Sequence, residues 1–148
     1  MNIEIEQLAD QQVIFMRRVG AYGPENFKLM NALKQWADKK GLLRNSVIYG
    51  VAQDNLDTPP EKCRYDVCLA APEDCALDGA VQKGELPGGK YAVFTIAHTT
   101  KEVETFWASF GQRLKENDLR LDASRPILER YPYSVVERGM CEFCVPIV

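Results

Sequence analysis

A chain of 148 residues, 46% of them hydrophobic, can build one substantial core but is too short for two large independent domains. Lys and Arg number 18 against 21 for Asp and Glu, a formal charge of −3. No basic stretch beyond Arg17-Arg18 and Lys39-Lys40 is available to follow a nucleic-acid backbone, so direct nucleic-acid binding is disfavoured.

In chain order, residues 3 to 8 and 13 to 19 read as two short strands or one bent strand, with Ile3, Ile5 and Val13 to Met16 supplying β-prone side chains. After the turn Gly20-Ala21-Tyr22-Gly23, Pro24 suits the first position of a helix. Phe27, Met30, Leu33 and Ala37, flanked by Leu29 and Trp36, give that helix a broad apolar face, and Gly41 is its expected stop. Residues 46 to 52 read as a strand, 54 to 62 as a loop restricted by two prolines, and 64 to 71 as a strand with Tyr65, Val67 and Leu69 on one face. A short strand is expected over 76 to 83, then the turn Pro87-Gly88-Gly89 and a strongly β-prone run from Tyr91 to Ala97. Thr99 and Glu102 stand in capping-box spacing before a second helix marked by Val103, Phe106, Trp107, Phe110 and Leu114. A polar exit over 115 to 126 leads to strands at 127–131 and 140–148, separated by a turn at Pro132.

The order β-α-β-β thus occurs twice, over pseudo-repeats of about 1–83 and 84–148. It predicts an α+β fold in which one antiparallel sheet carries both helices on one face, with a groove between the halves. The N-terminus lacks the basic, apolar and cleavage regions of a secretory signal, and no run reaches the roughly 18 apolar residues of a membrane span. Five cysteines without a dense framework fit reduced thiols, so a cytoplasmic chain with no membrane partner is expected.

Several short motifs, in this order, resemble the bacterial GyrI-like (DNA gyrase inhibitor-like) family, also found as the effector domain of multidrug-responsive and AraC-type transcription regulators. They are the stretches Arg18 to Gly23, Ile48 to Asn55, Thr58 to Cys68, Leu86 to Ala92, Glu129-Arg130-Tyr131 and Glu142 to Ile147. The resemblance implies two pseudo-repeated halves on a curved sheet, with an aromatic-walled pocket at their junction for bulky, often cationic ligands. It also implies two acidic positions, Glu129 and Glu142. Because the chain leaves no room before residue 3 for a DNA-binding segment, a standalone member is expected. The second half departs from the family pattern by carrying Ala97-His98-Thr99 where relatives repeat a Gly-Pro-Tyr turn, so an asymmetric pocket rim is expected.

Strand alternation places Glu129 and Tyr131 on one face, and Glu142 and Cys144 on one face. A carboxylate among aromatic side chains either attracts a cation or, when protonated, donates to a neutral ligand. Tyr22, Tyr49, Tyr65, Tyr91, Phe106, Trp107, Phe110, Tyr131 and Phe143 are the candidate pocket walls, although a sheet with two helices also needs aromatics for its core. His98 has no sequence-readable nucleophile to serve, and Cys141 and Cys144 should point to opposite faces. No metal site, catalytic set or cofactor is therefore expected, and neither glycine-rich turn fits a phosphate loop or dinucleotide fingerprint. The leading expectation is a binder of an amphipathic or cationic small molecule. The alternatives are a DNA gyrase-interacting inhibitor, a regulator acting through a protein partner, and a hydrolase using Glu129 with Tyr65 or Tyr131.

Overall fold

Among the described residues eight strands hydrogen-bond into one antiparallel sheet, and the chain crosses between its two ends twice. The computed structural model describes residues 2–43, 46–54, 57–70 and 77–148. The strands are β1 (Asn2–Leu8), β2 (Gln11–Val19), β3 (Ile48–Ala52), β4 (Arg64–Ala70), β5 (Gln82–Leu86), β6 (Gly89–Ala97), β7 (Leu128–Tyr131) and β8 (Met140–Pro146). Helix α1 (Pro24–Lys39) lies between β2 and β3, α2 (Thr100–Glu116) between β6 and β7, and a single-turn α3 (Tyr133–Val136) between β7 and β8.

The sheet order β1-β6-β8-β7-β3-β4-β2-β5 is symmetric about the β7–β3 pair. Each repeat is strand-strand-helix-strand-strand, one strand more than the β-α-β-β pattern. The extra strand is exchanged: β1 pairs with β6 of the second repeat, and β5 pairs with β2 of the first. The strand expected over 76–83 lies further on. Asp78 accepts the Ala80 amide at 3.1 Å and Gly79 has φ +64°, so a turn occupies 77–80 and pairing starts at Gln82. Residues 71–76, including Cys75, and Asn55 lie outside the described residues.

The helix boundaries follow the local chemistry. In α1 the Gly41 amide bonds to Asp38 O and the Leu42 amide to Ala37 O, with Gly41 at φ +70°, a closing geometry that glycine adopts without strain. The Thr99 hydroxyl accepts the Glu102 amide at 3.2 Å to start α2. Pro132 precedes the single turn of α3, where a plain turn was expected.

Strand alternation sorts the apolar residues into three clusters. Met30, Leu33, Trp36 and Ala37 of α1 pack on Ile14, Ile48, Val67 and Leu69, while Phe106 and Leu114 of α2 pack on Phe94, Ile96, Phe143 and Val145 of the same face. On the other face, Val13 and Leu86 from one end of the sheet share a cluster with Tyr91 and Val93 from the other, and with Tyr49, Val51 and Leu128 at the centre. That common cluster requires strong curvature, so the sheet fills its own concave side. The helices sit apart on the convex side over the outer parts of the sheet; on that face of β3, Ile48 packs in the α1 core, and Gly50 and Ala52 follow toward the space between the helices. Small groups at the centre and helices at the flanks leave a groove.

A carboxylate-floored groove between the two helices

The groove encloses about 640 Å³, within the range of sites for drug-sized molecules. Its floor is Glu129. Register pairs Gly50 with Glu129 on one side and with Val67 on the other, and the Tyr65 ring reaches across from β4 over the bare Gly50 backbone. A Cβ at Gly50 would overlap the Tyr65 hydroxyl and crowd Glu129 Oε2 at 3.0 Å, so glycine is what lets these side chains meet.

Two phenols address the same carboxylate oxygen: Tyr131 donates to Glu129 Oε2 at 2.6 Å and Tyr65 at 3.3 Å. Glu129 Oε1 accepts no hydrogen bond from the described residues, and no Lys, Arg or His among them stands within ion-pair distance. Burial raises the pKa of Glu129 above the ordinary carboxylate range, and the two phenols pull it partly back. Burial and then the neighbouring Glu129 charge raise both tyrosines, so they remain donors at neutral pH.

Six of the eleven sequence-predicted ligand residues line this groove: Tyr22, Tyr65, Trp107, Glu129, Tyr131 and Phe143. Tyr22 is anchored, donating to Arg64 O at 2.9 Å while accepting the Asp54 amide at 3.2 Å, and its ring meets Tyr65 edge-on at 6.3 Å. Trp107 is 42% exposed at the opposite lip. Phe106 and Phe110 are behind the wall instead of in it. Phe106 stacks on Phe143 at 4.1 Å and on Phe110 at 5.4 Å, which sets the rings that the groove does see.

Glu142, Tyr49 and Tyr91 do not line this groove. Pairing sets Glu129 opposite Phe143 and Arg130 opposite Glu142, so Glu142 shares the concave face with Arg130. There Arg130 donates to both Glu142 oxygens, at 2.9 and 3.1 Å, and to Glu6 at 2.7 Å. Tyr49 and Tyr91 belong to the concave cluster, where Gln11 bonds the Tyr49 hydroxyl and Tyr91 donates to Pro87 O. Cys141 lies in the α2 core and Cys144 in the concave cluster; burial pushes both thiols up to about 12, so neither is a thiolate at neutral pH.

Several lining residues had a different reading in the sequence. Phe27, expected in the α1 core, is 68% exposed at the rim. Phe27, Met30, Asn31 and Lys34 follow the helical spacing of three and four and form the α1 wall. The core pattern and the groove stripe share Met30, which is why periodicity could not separate them. His98 stands at the mouth with its ring 5.4 Å from Tyr131; burial lowers its pKa and the Lys34 charge adds to that. It occupies the strand-to-helix junction where the two repeats differ, so the rim is asymmetric.

A curved antiparallel sheet bearing two helices with an aromatic groove between them is the architecture of a small-molecule effector-binding domain. The chain belongs to the family of GyrI-like small molecule binding domains, whose model matches residues 1–148. It is 42% identical to YosT of Bacillus subtilis (strain 168), an SPbeta prophage-derived protein named as a candidate transcriptional regulator, over 99% of both chains. Its fold superposes on the C-terminal domain of EcmrR with a TM-score of 0.76 at 13% identity, covering 99% of this chain and 97% of that domain. It spans 57% of the EcmrR chain seen in a complex with DNA. SAV2435 bound to tetraphenylphosphonium has a TM-score of 0.61 at 18% identity, over 100% of this chain and 94% of that one. Small-molecule binding is thus the general role of this domain family.

Proposed function

We propose that the groove captures a bulky aromatic or amphipathic cation, with Glu129 as its counter-charge and Tyr22, Tyr65, Trp107, Tyr131 and Phe143 as its walls. The observation that carries this is Glu129, which lines the groove with both phenol bonds on Oε2, while Oε1 has no hydrogen bond and no cation from the described residues. Glu129 is half-buried on the groove, and a carboxylate in a partly desolvated, aromatic-walled site attracts a cation more strongly than one in water, while the cation's apolar body covers the walls. The protein of similar fold bound to tetraphenylphosphonium supports this ligand class.

Tetraphenylphosphonium is the direct probe, since it carries a permanent charge and no titratable group. Calorimetry should detect binding to the native chain and a loss of at least about tenfold with Glu129→Gln, with the thermal midpoint of the free protein unchanged or raised. Equal affinity for both proteins would overturn the role of Glu129.

The 2.6 Å contact between Tyr131 and Glu129 favours a second reading, in which a water on Oε1 is activated toward an electrophilic ligand. Under that reading Glu129→Gln abolishes turnover yet retains ligand affinity. A gyrase-inhibitory role would appear as gyrase binding that survives the same substitution.

A further inference from the structure

The charges around the groove are not evenly distributed. Glu129 forms the floor and Glu104 stands on the α2 side, next to Val103 and one helical turn from Trp107. The α1 side has no acid in the lining. It presents Asn26, Asn31 and Lys34, interrupted by Met30 and the outer Phe27.

Lys34 is half-buried in the wall and makes no ion pair or hydrogen bond among the described residues. Of the other lysines in and just after α1, Lys28 pairs with Glu25 at 2.9 Å and Lys40 with Asp78 at 3.7 Å, while Lys39 is exposed and does not line the groove. Asn26 is already oriented, because Arg18 donates to its Oδ1 at 2.7 Å, which leaves its amide hydrogens as donors. Asn31, between Asn26 and Lys34, likewise has no hydrogen bond among the described residues. His98 faces Lys34 from the β6–α2 junction, and burial and the lysine charge both favour its neutral form; Tyr22 and Tyr131 also line the groove, and the Arg18 guanidinium is held by Asn26 and Ala21 O. The α1 wall is therefore a line of donors carrying one positive charge, opposite a floor and far wall that carry the acids.

We propose that the ligand is dipolar: a cationic aromatic body seated on Glu129, with an anionic or strongly hydrogen-bond-accepting arm held on the α1 wall by Lys34, Asn31 and Asn26. This rests on the reading of the groove as a cation site and adds a second recognition element to it. A carboxylate arm meets a charge-assisted donor in a partly desolvated setting, whereas a ligand bearing only positive charge meets an uncompensated ammonium there. The unpaired Lys34 thus discriminates against simple lipophilic cations in favour of zwitterions.

Tetramethylrhodamine and its methyl ester form a matched pair: the same cationic xanthene, with a carboxylate in one and a neutral ester in the other. Fluorescence anisotropy on the full chain should show the carboxylate dye binding about fivefold more tightly, the upper range of a partly exposed ion pair. The preference should fall to about one with Lys34→Met and persist with Lys34→Arg. Equal affinities in the native protein, a preference for the ester, or a preference that survives Lys34→Met would overturn the dipolar ligand and leave the cation site standing. Binding of neither dye, together with no binding of tetraphenylphosphonium, would overturn both readings.

Discussion

Glu129 is an acid whose two oxygens differ: Oε2 is occupied by two phenols, and Oε1 takes no hydrogen bond from the described residues. Burial raises its pKa, so in the free protein the proton is held above the ordinary carboxylate range. For a folded-state value raised above the unfolded one, the associated stability is fully present below the unfolded value and is lost as pH rises through the folded value. A permanent cation selects the ionised form. Its affinity should therefore rise with pH, by up to about tenfold per unit, from the ordinary carboxylate range until Glu129 is fully ionised, and then level off. Calorimetric titration with tetraphenylphosphonium at a series of pH values checks this. Lys34, His98 and Glu104 also line the groove, so the Glu129→Gln profile is the control that isolates this carboxylate. A native profile that runs parallel to the variant's would mean that Glu129 does not change charge on binding.

Among the elements, β7 separates two kinds of carboxylate by alternation alone. Its odd positions, Glu129 and Tyr131, face the groove, while Arg130 faces the concave side and holds Glu142 of β8 and Glu6 of β1. The side chains of Arg130 and Glu142 are 12% and 13% exposed, so their pairing is well shielded from solvent. Glu142→Gln should cost about 1–3 kcal/mol in denaturant unfolding and change affinity for tetraphenylphosphonium by less than about twofold. Glu129→Gln should do the reverse. A large loss of affinity in the Glu142 variant would place a ligand on the concave face. The sequence motifs singled out both glutamates, and nothing in either strand alone distinguishes them. The distinction comes from the β7–β8 register, a long-range pairing that local pattern does not encode.

At the scale of the whole molecule, the exchange of β1 and β5 makes the halves interdependent. Each repeat lends its first strand to the other, and the β3–β7 pairing that joins them runs beneath the groove. The exposed turn at 77–80, with Gly79 at φ +64°, is a site where the backbone can be cut without removing a strand. Fragments 1–79 and 80–148 should each be largely unfolded alone by circular dichroism, and should recover the native spectrum on mixing at equal concentration. Independent folding of either fragment would show that its borrowed strand is dispensable. The sequence by itself determined what local physics dictates: two amphipathic helices with their proline, glycine and threonine boundaries, most strands, the α+β class, and the shared face of Glu129 and Tyr131. Tertiary structure alone decided the strand exchange, the placement of Glu142 on the far face, the retreat of Phe106 and Phe110 behind the wall, and the convergence of Lys34 and His98 at the mouth. Alternation and helical period state which residues share a face of their own element. Which face meets the groove depends on sheet register and curvature, set by contacts between residues far apart in the chain.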